Sequence, residues 1–469
     1  MSNALSVHPD RLFPADPGTR EVARRLYDSV RDLPIVSPHG HVPAQWLAVD
    51  VRFTDPTALL ITPDHYVTRL MHASGVPLEH LGVGVELTPE ASREAFATFC
   101  RHWPVYAGTP MRLWFESQLV DIFDVHVRPS AQTADQIYDR IQAWIDRDSS
   151  SVRSLMRQFD IAVLATTDDP CDDLSHHRRL ADDPTFEATV VPTFRPDRYL
   201  EPASPTWNED VDRLASVSGT DCGTYAGWVA AMEVRRAYFA DHGCVSTDHS
   251  HADLGTATLE PAEAEAVYAD ARAGRVDPER ATALRRHMVS EMARMATEDG
   301  LTMTLHPAVA RNHHPATLQR FGADVGADIP TGVEVTWALQ PLLARYGTHS
   351  GFTLVVFTID ETVYSRELAP LAGFYPALRI GVPWWFIDAP DAIRRFRRSV
   401  TEAAGFTRTS GFIDDTRAFL SIPARHDMAR RLDCGYLAEL VADHRLGEDE
   451  AHETARYLVA DQPREVFGL

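Results

Sequence analysis

The sequence predicts a (β/α)8 barrel of the TIM type with a helical subdomain inserted after its first strand. Three observations predict it. Eight short apolar runs each end in a polar cluster, helical patterns lie between them, and the 469 residues are 44% hydrophobic, enough to fill a barrel that carries insertions. The expected organisation is an N-terminal arm, helix and first strand over residues 1–43, a helical insertion over 44–157, and the rest of the barrel with C-terminal helices over 158–469.

Residues 20–32 read as a helix, with Val22, Leu26, Tyr27 and Val30 on one face. It leads into the apolar run Leu33-Pro34-Ile35-Val36, the first candidate strand. Residues 44–157 read mostly as helix, clearest where Ile137, Ile141, Trp144 and Ile145 recur at helical spacing. Such a stretch is too long for an ordinary βα connection, which is why an inserted subdomain is expected there. From residue 160 the pattern changes to apolar runs over 161–170, 189–197, 244–250, 301–308, 351–360, 378–386 and 409–417. Among the helices between them, one opens at Asp277-Pro278, an N-cap followed by proline at the first helical position, and continues through Leu284, Met288, Met292 and Met295.

Composition excludes several classes of function. The chain contains no lysine, so all 45 basic residues are arginines; Schiff-base chemistry, a phosphate-binding P-loop and a metal bridge made from modified lysine are ruled out. A net charge of -22 argues against nucleic acid and anionic membrane surfaces as partners. No segment approaches the roughly 20 apolar residues that span a bilayer, and the N-terminal residues lack an apolar signal core, so a cytoplasmic protein is expected. Five widely spaced cysteines without a CxxC pair fit free thiols in a reducing compartment. A homo-oligomer is compatible with all of this.

In a barrel of this type the active site collects at the C-terminal ends of the strands. Here those ends carry His39, His41, Asp168, Asp169, Arg195, Asp248, His249, His306, Asp360, Trp385, Asp415 and Arg417. His39 and His41 follow the first buried strand in "SPHGHV", and alternation delivers both imidazoles to one side, where they can hold one ion. A third hard ligand is needed; Asp415 at the end of the last run is the best choice, while its neighbour Asp414 points the other way. His306 either completes the sphere or donates a hydrogen bond behind it. Two imidazoles and a carboxylate take zinc first, and also manganese, iron or cobalt. Arg417, two residues after the metal aspartate, faces the same cavity. Asp168 and Asp169 read equally as loop caps or functional groups, and so do Asp248 and His249. Of Trp384 and Trp385, one walls the pocket and one packs beneath it, with Trp385 nearer the substrate.

The segments "ARRLYD", "PHGH", "PDHY", "TTDDP", "FRPD", "HGCVSTDH", Arg311-Asn312, "WWF" followed by Asp388, "DTRAFLS" and "RHDMARR" share their order and spacing with one family. From about residue 12 to the C-terminus the chain resembles the uronate (glucuronate) isomerases of the amidohydrolase superfamily. The resemblance implies a distorted (β/α)8 barrel with a helical insertion and a mononuclear divalent metal. It also implies interconversion of D-glucuronate with D-fructuronate and of D-galacturonate with D-tagaturonate. On this basis His39, His41 and Asp415 are the metal ligands, His65 and Tyr66 fall on an active-site motif, and Arg195 and Arg417 on arginines of the family. Arg195, Arg311 and Arg417 would hold the uronate carboxylate, with Trp385 and His306 as further substrate contacts, and Asp415 would carry the proton with His65 in reserve. The chain departs from the family at "SPHGHV", where members carry His-Cys-His-Leu, at His313-His314, where they carry asparagines, and at "FTIDETVYSREL", which lacks an asparagine-rich loop. A mononuclear metal-dependent hydrolase or lactonase acting on a sugar acid is the alternative, because related enzymes use the same ligands to activate water. A metal-independent binding scaffold would leave the two histidines and Asp415 without a task.

Overall fold

The architecture follows from a computed structural model that describes residues 4–469. Its parallel strands are β1 (Ile35–Ser37), β2 (Ile161–Ala165), β3 (Thr189–Val191), β4 (Thr193–Phe194), β5 (Ser246–His249) and β6 (Thr302–Leu305). A two-stranded antiparallel hairpin, β7 (Val309–Ala310) with β8 (Ile329–Pro330), precedes the last two, β9 (Leu354–Val356) and β10 (Leu378–Ile380). β1, β2 and β3 pair in that order, and β4, β5, β6, β9 and β10 in that order, every pairing parallel. Pro192 divides β3 from β4 because it has no N–H to give the ladder. A parallel bridge between Asp168 and Phe194 continues the ring across that break.

The run 409–417, expected as the eighth strand, forms no regular ladder. It is attached on one flank by a bridge from Thr409 to Ile380 and by the Ser410 N–H to the Ile380 carbonyl at 3.0 Å. On the other flank, the Asp415 N–H reaches the His39 carbonyl at 3.3 Å and the His41 N–H reaches the Thr416 carbonyl at 3.1 Å, which closes the ring. Two residues in left-handed conformation, Gly411 (φ 77°) and Asp415 (φ 43°), break its register. At Gly411 a Cβ would stand 2.8 Å from the Pro463 ring, so glycine is needed on both counts.

The N-terminal helix spans Pro17–Asp28 rather than 20–32, because Asp16 accepts the Thr19 N–H and Pro17 starts the first turn. The helix opened by Asp277 runs over Pro278–Asp299, with the expected cap and with Leu284, Met288, Met292 and Met295 buried. Between β1 and β2 the chain forms a run of helices, among them His65–Ala73, Pro89–Arg101, Pro110–Ser117 and Ala134–Ile145. The last buries Ile137, Ile141, Trp144 and Ile145 as their spacing requires. Their aromatic centre, Phe96, Phe99, Trp103, Tyr106 and Phe115, is continuous with Ile35, Ile161 and Leu164 of the barrel wall. This packing holds the start of the His65–Ala73 helix over the strand ends. The five cysteines are buried free thiols. Among the described residues no helix is long and apolar enough to cross a membrane.

Candidate active site and metal centre

At the strand ends the first and last staves of the ring deliver three donors to one point. The Asp415 Oδ1 lies 3.0 Å from the His41 Nε2 and 3.4 Å from the His39 Nε2, yet has no well-formed hydrogen bond. The left-handed backbone at Asp415 turns its carboxylate toward the histidines, while Asp414 turns away to accept from the His426 ring at 3.1 Å. Burial works against charge on Asp415, but the two imidazoles hold its pKa well below the ordinary carboxylate range. Two imidazole nitrogens and an anionic oxygen converging without a satisfying proton suit a divalent cation.

His306 stands behind this group. It joins His39 and Asp248 in a second cluster, its Nδ1 2.7 Å from the Asp248 Oδ1, its ring stacked on His39 at 4.8 Å. Asp248 in turn pairs with Arg195 at 3.2 Å. A cavity of about 310 Å³ opens above the centre, lined by His41, His65, Tyr66, Arg195, Arg311, Trp384, Trp385, Asp415 and Arg417 among others. His39 and His306 do not line it; they lie beneath. Trp384 is buried with its ring edge against His306, and Trp385 is more open, 5.1 Å below the Arg311 guanidinium.

His65 begins its helix beside the cap Asp64, which accepts the Tyr66 N–H at 2.8 Å. Burial first, then Arg417 and other nearby guanidinium groups, push the His65 pKa down to about 3, so the ring is neutral at neutral pH, with its Nε2 buried and unpartnered. Burial raises the Tyr66 phenol above its ordinary value and keeps its proton in place for donation. Arg195 is fixed by Asp197 at 2.9 Å, Arg417 by Asp324 at 3.0 Å, and Arg311 by the Ser250 hydroxyl at 3.0 Å. Asp168 and Asp169 serve loops: Asp168 accepts from Thr166 and Asp169 from Tyr199.

Several groups were given no role from the sequence. Arg425, almost fully buried, reaches Asp388 at 2.6 Å and lies over the Trp114 ring at 3.7 Å, supporting Tyr66 from below. Asp388 sits there with a pKa raised to about 7, chiefly by burial. Asp324 and Asp328, on the loop before β8, brace Arg311 and Arg417; no motif marks them. The signal for Arg425 was its place in "RHDMARR", where a charged residue falls on the buried face of a long helix.

The fold and the strand-end cavity define an α/β-barrel enzyme. The family model of glucuronate isomerase matches residues 18–461. The uronate isomerase of Cutibacterium acnes is 56% identical over 466 residues, 99% of each chain. The crystal structure of glucuronate isomerase from Caulobacter crescentus superposes with a TM-score of 0.96 at 43% identity, covering 99% of this chain and 97% of that one. The uronate isomerase structure from Thermotoga maritima gives 0.92 at 25% identity, covering 99% and 100%. The chain belongs to the glucuronate isomerase family, and it is an isomerase.

Proposed function

We propose that this enzyme interconverts aldose and ketose hexuronates, D-glucuronate with D-fructuronate and D-galacturonate with D-tagaturonate, by moving a proton between C2 and C1. The observation that carries the reading is one cavity in which His41 and Asp415, with His39 converging on them from beneath, stand beside three arginines. Arg195, Arg311 and Arg417 hold the uronate carboxylate, since the planar guanidinium fork matches its two oxygens. His39, His41 and Asp415 would hold a divalent ion, zinc in the first place, which would supply electrophilic stabilisation where oxyanion charge develops at C1 and C2. Tyr66, which burial keeps protonated, donates to a sugar oxygen, and His65 beside it assists ring opening. Asp415 takes the proton from C2 and returns it to C1. His65, with a free lone pair in the same cavity, is the second base. Trp385 walls the cavity, and His306 acts through His39 from below.

The test is to incubate the purified protein, supplied with zinc, with each sugar acid in heavy water and follow it by proton NMR. Ketose signals or loss of the C2 proton are expected. If neither sugar gives either change, the substrate assignment is wrong; incorporation of a water oxygen instead would identify a hydrolase.

A further inference from the structure

We infer that a second, separate divalent-cation site lies on the outer side of β5, formed by Asp197, His249 and His251. Their ligand atoms all lie within 4.8 Å of one another. His249 and Asp248 are neighbours on β5 and point to opposite sides by strand alternation. Asp248 meets His306 beneath the active-site cavity, whereas His249 faces a small void that it lines together with His251 and Asp253.

Both rings are buried and prepared to ligate. The His251 Nδ1 lies 2.7 Å from a Glu201 carboxylate oxygen, which fixes the proton on that nitrogen and leaves Nε2, buried and unpartnered, with its lone pair free. A carboxylate behind the imidazole is the arrangement that orients a metal-binding histidine and raises its basicity. The His249 Nε2 lies 3.2 Å from the Thr247 hydroxyl, and its Nδ1 is the buried atom without a partner. The Asp197 Oδ1 stands 3.8 Å from the His251 Nε2. Glu201 and Asp197 face the two rings, while Asp253 is paired with Arg285 and Arg286, and Asp197 also with Arg195. Two imidazoles and one carboxylate form a set for zinc or cobalt rather than for calcium or magnesium. Buried imidazole nitrogens with no hydrogen-bond partner are otherwise costly.

The site connects to the substrate arginines. Asp197 gives its other oxygen to Arg195 at 2.9 Å, and Ser250, between the two histidines, accepts from Arg311 at 3.0 Å. An ion here fixes the loops that aim both guanidinium groups.

The test uses the full-length protein stripped with a chelator and titrated with cobalt(II), read by visible absorption and by metal analysis. Wild type is expected to take two ions per chain. His251→Ala is expected to lose one, and His41→Ala to lose the other while keeping the ion at His251, an arm that stands even if the centre at His39 and His41 fails. His251→Gln, nearer in size, covers the case in which alanine disturbs folding, and circular dichroism monitors each variant. Two ions retained in both His251 variants, or none bound by His41→Ala while it remains folded, overturns the inference.

Discussion

At Arg417 the guanidinium rests 3.0 Å from the Asp324 carboxylate, and under the proposed function it holds a uronate carboxylate as well. Arg417→Lys keeps the charge and removes the fork, so we expect KM to rise about 10- to 100-fold with a smaller change in kcat, the loss of a charge-assisted contact of about 1.5–3 kcal/mol. An unchanged KM would take Arg417 out of carboxylate binding. Below the same barrel face, His177 and Asp168 both lie within 2.8 Å of the Thr166 hydroxyl and titrate in opposite senses. Burial lowers His177 to about 4, so its contribution to stability is present above pH 6.5 and lost as pH falls toward 4. Burial raises Asp168 to about 7, so its contribution is present below pH 3.8 and lost as pH rises through 7. In wild type the two nearly cancel between pH 4 and 6.5. Relative to wild type, His177→Gln should gain stability on acidification and Asp168→Asn should lose it, each by a few kcal/mol in urea unfolding across that window; flat difference curves would count against both shifts. At this scale the sequence was most legible where chemistry restricts the residue type. His39, His41 and Asp415 stand out because spacing and alternation carry over from one dimension to three. Asp324 and Asp328 do not, because their role is set by a loop whose path no local pattern specifies.

The elements show the same division. Seven of the eight runs form strands, and most of these bury their side chains between barrel interior and helices, a pattern that survives in the sequence as hydrophobicity in β1, β2 and β9; β5, Ser246-Thr247-Asp248-His249, is buried without any apolar residue. The eighth, 409–417, was legible as a run but not as an irregular one, since a left-handed aspartate leaves no compositional mark. Nor did the β7–β8 hairpin have enough length to signal. The helices Pro390–Ala404 and Ile422–Ala442 illustrate a contact that sequence hides: Arg397 and Asp433, both buried, form two parallel hydrogen bonds of 2.7 Å. Asp433→Ala strands a buried guanidinium and should cost about 3–5 kcal/mol in urea unfolding, whereas replacing both residues by apolar ones of similar volume should recover most of it. A cost below about 1 kcal/mol, typical of an exposed pair, would show that water reaches the site.

For the whole molecule, what matters is where the three donors sit along the chain. His39 and His41 follow the first strand and Asp415 belongs to the last stave, and that junction is held by a thin ladder, two backbone hydrogen bonds of 3.1 and 3.3 Å flanking the donors. A cation held by these three donors would join the ends of the barrel, so its binding energy would also be energy of closure. Binding to the native state alone contributes about 2.7 kcal/mol when free metal is at 100 times Kd. In a chain this long, that displaces the unfolding midpoint by only a few degrees, because the entropy of unfolding grows with size. We therefore expect calorimetry to show the midpoint falling by a few degrees on chelation and returning when zinc is restored. Asp415→Asn should remove most of this response, because the amide oxygen it leaves carries no charge. Chelation is expected to increase protease cleavage more near residues 409–416 than at sites far from the seam, since both flanks of this stave are held by few backbone hydrogen bonds. A midpoint indifferent to metal, with the protein shown to load it, would mean that the barrel closes through packing alone and that the cation serves only the chemistry.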